Sequence, residues 1–214
     1  MKSVMISIKP KWCELIASGK KTVEVRKTRP KIETPFKCYI YCTKGHLAML
    51  RDNKDTEEPY KYDVWRHADF HESCGKTVFG GRVIGEFVCD FVNEYTAEFT
   101  DGNYHEDIRQ VFEDGEAIIT SNEDENPNNC FLCNRACLSF EDIKKYIGTN
   151  FHEKPFYGWH ISNLVIYDKP KGLSDFSSGS STLSFSKTKD GFPWKYSGIT
   201  KPPQSWCYCE GIEE

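Results

Sequence analysis

Apolar positions along the first forty residues change period three times, and each change marks an element. Residues 4–8 form a short apolar run with strand character. Residues 10–18 follow with Trp12, Leu15 and Ile16 at helical spacing; Pro10 suits the first helical position and Gly19 supplies a left-handed stop. From Thr22 the period drops to two. Val23 and Val25 point one way, while Thr22, Glu24 and Arg26 point the other. Residues 36–42 are apolar and rich in β-formers, as a sheet strand requires.

The stretch 44–76 is charged and reads as an irregular insertion. Residues 78–92 return to strand character, with Gly80-Gly81 as punctuation and Gly85 marking a bulge or a close approach. Ile108, Val111 and Phe112 predict an amphipathic helix over 103–113, and 121–129 reads as a loop. Ser139 with Asp142 three residues on predicts a capped helix through Ile147, stopped by Gly148. Residues 156–167 are the longest strand candidate. The Gly-, Ser-, Pro- and Lys-rich segment 169–203 is expected to wrap the surface or stay mobile, and 205–210 is a short final strand. Strands with two dependable helices make an α+β chain.

At 214 residues the pattern fits one domain over 1–214, with insertions at about 44–78, 93–136 and 169–203. No apolar run approaches the ~18 residues that span a bilayer. Met1-Lys2-Ser3-Val4 leads into a strand rather than a secretory core, so a cytoplasmic protein without a membrane role is expected. Ten cysteines then read as reduced thiols, most of them small buried hydrophobes. Net charge is only −4, but its distribution is uneven. Residues 1–31 carry nine Lys/Arg against two Glu, and residues 98–126 carry ten Asp/Glu against Arg109. The basic segment is a footprint for a phosphate backbone. The acidic one either neutralises it within the fold or docks a basic protein partner.

Candidate chemistry concentrates in the same basic segment. Lys9, Lys21, Glu24 and Arg26 would bring a guanidinium fork, lysine point charges and one carboxylate together in a cleft. An ordinary exposed Glu–Arg pair is the competing reading, worth only ~0.2–1 kcal/mol. Trp159, His160, Gln204 and Trp206 offer flat rings and polar edges of the kind a nucleobase needs, although a core tryptophan with one indole hydrogen bond explains either Trp alone. Cys130, Cys133 and Cys137 have zinc-like spacing, but a fourth ligand such as Cys74, His105 or His152 would have to come from elsewhere, so no metal is expected. G-x-S-x-G and G-x-x-x-x-G-K-[ST] are both absent, and no cofactor is expected.

Gly19-x-Lys21-x-x-Glu24-x-Arg26 resembles the G-x-K-x-x-E-x-R signature of the ASCH domain, of the PUA-like superfamily. Ser7-Ile8-Lys9-Pro10, Val83-Ile84-Gly85-Glu86-Phe87, Tyr157-Gly158-Trp159-His160-Ile161 and Pro203-Gln204-Ser205-Trp206-Cys207 resemble, in order, segments of larger ASCH proteins of phages and Firmicutes. The resemblance implies a small mixed β-barrel with flanking helices and long insertions. It also implies a nucleic-acid-binding module, RNA being the favoured ligand, whose charged cleft takes a base or a single-stranded segment. In that cleft Lys9, Lys21 and Arg26 would hold phosphates or base edges, and Glu24 would accept from an amino group or orient Arg26. Trp159 or Trp206 would stack, with His160 and Gln204 beside them. The alternative is an RNA or modified-nucleoside hydrolase with Lys21 and Glu24 as acid–base groups. Small ASCH amidohydrolases of acetylated cytidine use a lysine, a threonine and a glutamate. Lys21 matches the lysine; Glu24 stands where the threonine would be, and the remote glutamate has no match. A third reading is a phage–host interaction protein acting through its acidic insertion.

Overall fold

The computed structural model describes residues 2–44, 48–52, 62–66, 77–78, 80–100, 105–122, 131–178 and 198–211. In chain order these form β1 (Lys2–Ile8), α1 (Pro10–Ala17), β2 (Val23–Arg26), β3 (Phe36–Cys42), β4 (Ala48–Asp52), β5 (Tyr62–Arg66), β6 (Thr77–Val78) and β7 (Arg82–Cys89). There follow β8 (Val92–Thr100), β9 (His105–Val111), β10 (Ala117–Asn122), α2 (Phe131–Ala136), α3 (Phe140–Ile147), β11 (Phe156–His160), β12 (Ser162–Lys171) and β13 (Trp206–Glu210). The chain divides into two compact units.

The first unit comprises Met1–Glu14, Phe36–Phe87 and Leu164–Glu214. Its five-stranded sheet has the order β12-β7-β3-β1-β13. β1 lies parallel to β3, with Val4 opposite Cys38, and antiparallel to β13, with Ile6 opposite Trp206. A parallel neighbour needs a crossover, which residues 9–35 supply. Met5, Tyr39, Tyr41, Val83, Phe176 and Cys209 form its core. Gly85 is the close approach that the sequence marks: a Cβ there would lie 2.4 Å from the Val165 carbonyl oxygen. β4 and β5 occupy part of 44–76, where the sequence reads as irregular, and join β6 in a further sheet of order β5-β4-β6.

The second unit comprises Leu15–Pro35 and Val88–Asn163. Its antiparallel sheet has the order β10-β9-β8-β11-β2. Val23 and Val25 enter a core with Tyr95, Phe156, Ile143 and Ile147, as the period-two pattern predicts. The Tyr95 and Phe156 rings stack at 5.6 Å. α3 carries the expected capping box: Asp142 N–H donates to Ser139 Oγ at 3.0 Å and Ser139 N–H donates to Asp142 Oδ2 at 3.3 Å.

Four expectations are corrected. Among the described residues no β-barrel forms, because neither five-stranded sheet closes: closure needs the first and last strands to pair, yet β12 and β13 end one sheet and β10 and β2 the other. The fold is α+β with open sheets. The amphipathic helix expected over 103–113 is instead β9, whose Glu106 and Asp107 are buried along with Ile108. The strand expected over 156–167 is two strands, β11 and β12, separated at Ile161, with Asn163 left-handed at φ 46° just beyond. Cys133 is held in a disulfide and is not a reduced thiol; seven other described cysteines are not disulfide-bonded. The remainder of 121–129, from residue 123, and residues 179–197 of the 169–203 segment lie outside the described residues. No helix among the described residues is long and apolar enough to cross a membrane.

Candidate functional site

The signature residues lie around β2, an edge strand of the second unit, and their placement starts with how α1 ends. Gly19 adopts φ 73°, a conformation costly for residues with a Cβ. Its N–H donates to the Ile16 carbonyl and the Lys21 N–H to that of Leu15, each at 2.9 Å, so the turn delivers Lys21 directly into the unit. α2 then fastens the entrance to β2. Thr22 N–H donates to the Arg135 carbonyl at 2.9 Å, and Arg135 Nε donates to Thr22 Oγ1 at 3.2 Å.

Within this frame Lys21 and Arg26 converge on one carboxylate. Lys21 Nζ lies 3.3 Å from Glu24 Oε2, and Arg26 Nη2 lies 3.0 Å from Glu24 Oε1. Lys21 Nζ also donates to the Ala136 carbonyl at 2.6 Å. Lys21 is 2% exposed, Glu24 7% and Arg26 6%, so β2 is buried on its charged face as well as its apolar one. Period-two alternation correctly separates the two faces; it does not reveal that both are covered.

Tyr146 of α3 joins the network from outside. Burial raises the pKa of its hydroxyl above the usual tyrosine value; the nearby Arg26 guanidinium opposes that rise and Glu24 adds to it. The residue is nevertheless 40% exposed, and Lys27 Nζ lies 5.5 Å from the ring centroid.

β11 supplies the neighbours. In register, Trp159 lies opposite Glu24 and Tyr157 opposite Arg26, which puts both rings on the charged face. Trp159 is fully buried. His160, one residue on, faces the other side of the sheet. Its Nδ1 lies 2.5 Å from Asp90 Oδ1 and its ring stacks on Phe91 at 4.3 Å. Burial works against the Asp90 charge, but the His160 hydrogen bond and the backbone N–H groups of Asp90 and Phe91 outweigh it, so this carboxyl titrates below the usual range.

Of the eight sequence-predicted site residues, Lys21, Glu24 and Arg26 form one connected cluster, with Trp159 on their face. His160 belongs to the same unit but to a separate pair with Asp90. Lys9, Gln204 and Trp206 belong to the first unit. There Lys9 and Gln204 are exposed, and Trp206 is half-buried with its ring edge-on to Tyr208 at 5.5 Å. Sequence reasoning placed Thr22 on the charged face but missed Tyr146, Arg135, Asp90 and the Ala136 carbonyl. All are brought in by tertiary packing; only Tyr146 left a trace, as an aromatic at the margin of an amphipathic helix.

The zinc-like cysteines do not assemble among the described residues. Cys133 is in its disulfide, and Cys137 Sγ lies 3.4 Å from the Lys20 carbonyl, to which it donates. No group of three or more His, Cys, Asp or Glu that could hold a metal occurs among the described residues; Cys74, Cys130 and the His105 side chain lie outside them. The acidic segment is partly neutralised internally: Glu106 pairs with Lys144 and with His152, and Arg109 lies 3.0 Å from Glu98.

A family model for the ASCH domain matches residues 6–154. Among solved structures, the chain is similar to ASCH from Zymomonas mobilis at 15% identity, over 96% of this chain and 86% of that one, with a TM-score of 0.46. A mutant of the same Zymomonas mobilis protein is similar at 15% identity, over 97% and 90% respectively, with a TM-score of 0.47. No curated protein matches the chain.

Proposed function

We propose that this chain, which belongs to the ASCH domain family, is a nucleic-acid-binding module that takes single-stranded RNA or an extruded base. The observation that carries this reading is the Lys21–Glu24–Arg26 network. Three charged groups taken out of water cost several kcal/mol each before their attraction offsets it, and apolar residues of similar volume would stabilise the fold as well or better. Such a cluster is better explained by recognition than by stability. The division of labour follows from exposure. Lys9, Lys11, Lys20, Lys27, Arg29 and Lys31 are exposed and would supply the salt-dependent attraction to phosphates. The buried network would hold the polar donors and the acceptor in fixed positions for a base edge, with Trp159 packed on the same face of the sheet.

Fluorescence anisotropy with labelled single-stranded RNA over a salt series tests this. Binding should weaken linearly in log–log form, and Lys20→Ala/Lys27→Ala should reduce the slope by about 1.4 if each lysine contacts one phosphate. Affinity that ignores salt, or no binding at low salt, contradicts the reading.

The hydrolase alternative has one observation in its favour: Lys21 Nζ and Glu24 Oε2 lie 3.3 Å apart, within reach of proton exchange through small motions. Incubation with RNA and with acylated nucleosides, followed by mass analysis, should then reveal a product that is absent with Lys21→Ala.

A further inference from the structure

We infer that the outer edge of β10 is a docking site for an extended, lysine- or arginine-bearing segment of a partner protein, which adds to the sheet as a further strand. β10 ends the sheet of its unit, and among the described residues no strand pairs with its outer edge, so its outward backbone N–H and C=O groups can take one. The strand lacks the usual means of blunting such an edge: Ala117–Asn122 contains no charged residue and no proline. Ile118 and Ile119 are 53% and 54% exposed. Ile118 lies opposite Gln110 and Ile119 opposite Arg109, so one isoleucine stands on each face of the sheet, where alternate side chains of an added strand would cover both. The register shifts between Ile119 and Ser121, which limits the regular edge to a short stretch around Ala117–Ile119. So short a ladder needs a second source of attraction, and charge supplies it.

Acids bracket this edge. Over residues 110–134, Glu113, Asp114 and Glu116 precede the strand, Glu123, Asp124 and Glu125 follow it, and there is no Lys, Arg or His. Glu106 and Asp107, farther back in the same acidic segment, are buried beside Lys144 and Arg109. Glu113, Asp114 and Glu116 are exposed and make no ion pair among the described residues. The hairpin turn holds them in place: Glu116 N–H donates to Asp114 Oδ1 at 3.0 Å, and Gly115 N–H donates to the Phe112 carbonyl at 2.9 Å. The sign of this charge selects the occupant. It repels nucleic acid, and a second copy paired antiparallel on β10 would set its own acids against those of the first. A strand that is apolar at its centre and basic towards its ends matches the edge at every position. The inference is independent of the nucleic-acid reading, and its failure would leave that reading untouched.

Fluorescence anisotropy with three labelled synthetic peptides tests it, each about ten residues long, the length of a long strand. One alternates valine with lysine, the second carries glutamate in place of lysine, and the third is the lysine peptide with its central backbone amides N-methylated. At low salt the lysine peptide should bind at least about tenfold more tightly than either of the others, and its advantage over the glutamate peptide should shrink as salt rises. Ile119→Lys should weaken its binding about tenfold, since it puts a like charge on the edge. Glu113→Gln/Glu116→Gln, which leaves the strand itself untouched, should weaken it about threefold and flatten the salt dependence. Thermal melts establish that both variants are folded, and the three peptides decide the matter with the wild-type protein alone. The inference is overturned if no peptide binds, if the glutamate peptide binds as well as the lysine one, or if N-methylation makes no difference, which would leave charge attraction without strand pairing. It is also overturned if sedimentation velocity shows the wild-type protein associating with itself through an edge that Ile119→Lys disables.

Discussion

Replacing Lys21 by methionine removes a charge while nearly preserving the length of the side chain, and its cost can be worked from the contacts. Lys21 is 2% exposed, and its ammonium serves both Glu24 and the Ala136 carbonyl. Lys21→Met leaves that carbonyl without this donor, a loss of about 1–3 kcal/mol for a buried acceptor. It also takes one of two cations from a buried carboxylate, and breaking buried pairs costs about 3–5 kcal/mol in all. Arg26 remains on Glu24, so the lower end, about 3 kcal/mol, is the expected destabilisation, equivalent to a fall in Tm of roughly 6–12 °C for a chain of this size. Lys37 provides an internal control. Its pair with Glu86 is shorter, at 2.7 Å, but the Lys37 side chain is 46% exposed. Lys37→Met should therefore cost less than about 1 kcal/mol. Urea denaturation at neutral pH with unchanged m-values measures both. If the two variants lose similar stability, or Lys21→Met loses less than Lys37→Met, desolvation does not set the strength of the network and the argument fails.

Ser139→Ala removes the cap acceptor of α3 and should cost about 1 kcal/mol, read as a drop of about 2–4 °C in a thermal melt. Gly85→Ala places a methyl group 2.4 Å from the backbone oxygen of Val165, which cannot swing away as a side chain could. A destabilisation of at least about 1–3 kcal/mol is expected by urea denaturation. Asp90 titrates below its ordinary value of 3.8, so its contribution is fully present above that pH and is lost as pH falls through the lower folded-state value. The stability gap between wild type and Asp90→Asn should close as pH falls below 3.8 and through the lower folded-state value.

The sequence was most legible where local chemistry decides structure. Pro10 and Gly19 bound α1, Ser139 and Asp142 cap α3, and the alternation of Val23 and Val25 puts the apolar face of β2 into a core. It failed where distant partners decide. β9 resembles a helix because its buried positions include Glu106 and Asp107, acids no single-sequence pattern would place inside. Lys144 and Arg109 pair with them there, and His152 Nε2 lies 3.0 Å from Glu106 Oε1. The barrel was an inference from resemblance, and hydrophobic periodicity has no means of saying whether β10 or β2 finds another strand to pair with. The site divides in the same way. Lys21, Glu24 and Arg26 are one motif and were found together; Tyr146 and Asp90 depend on packing between segments far apart in sequence.

Glu24 is the residue on which the account turns, because a carboxylate repels phosphate and its place in a nucleic-acid site requires a specific donor. Glu24→Gln nearly preserves the shape of the side chain and removes its charge. The decisive measurement is the affinity of wild type and Glu24→Gln for single-stranded oligomers of A, C, G and U, at one salt concentration where both proteins are folded. The account predicts that the order of preference among the four changes, because the partner of Arg26 and of any ligand amino group has been altered. An equal tightening for all four would contradict it and leave Glu24 as a charge that merely opposes the nucleic-acid backbone.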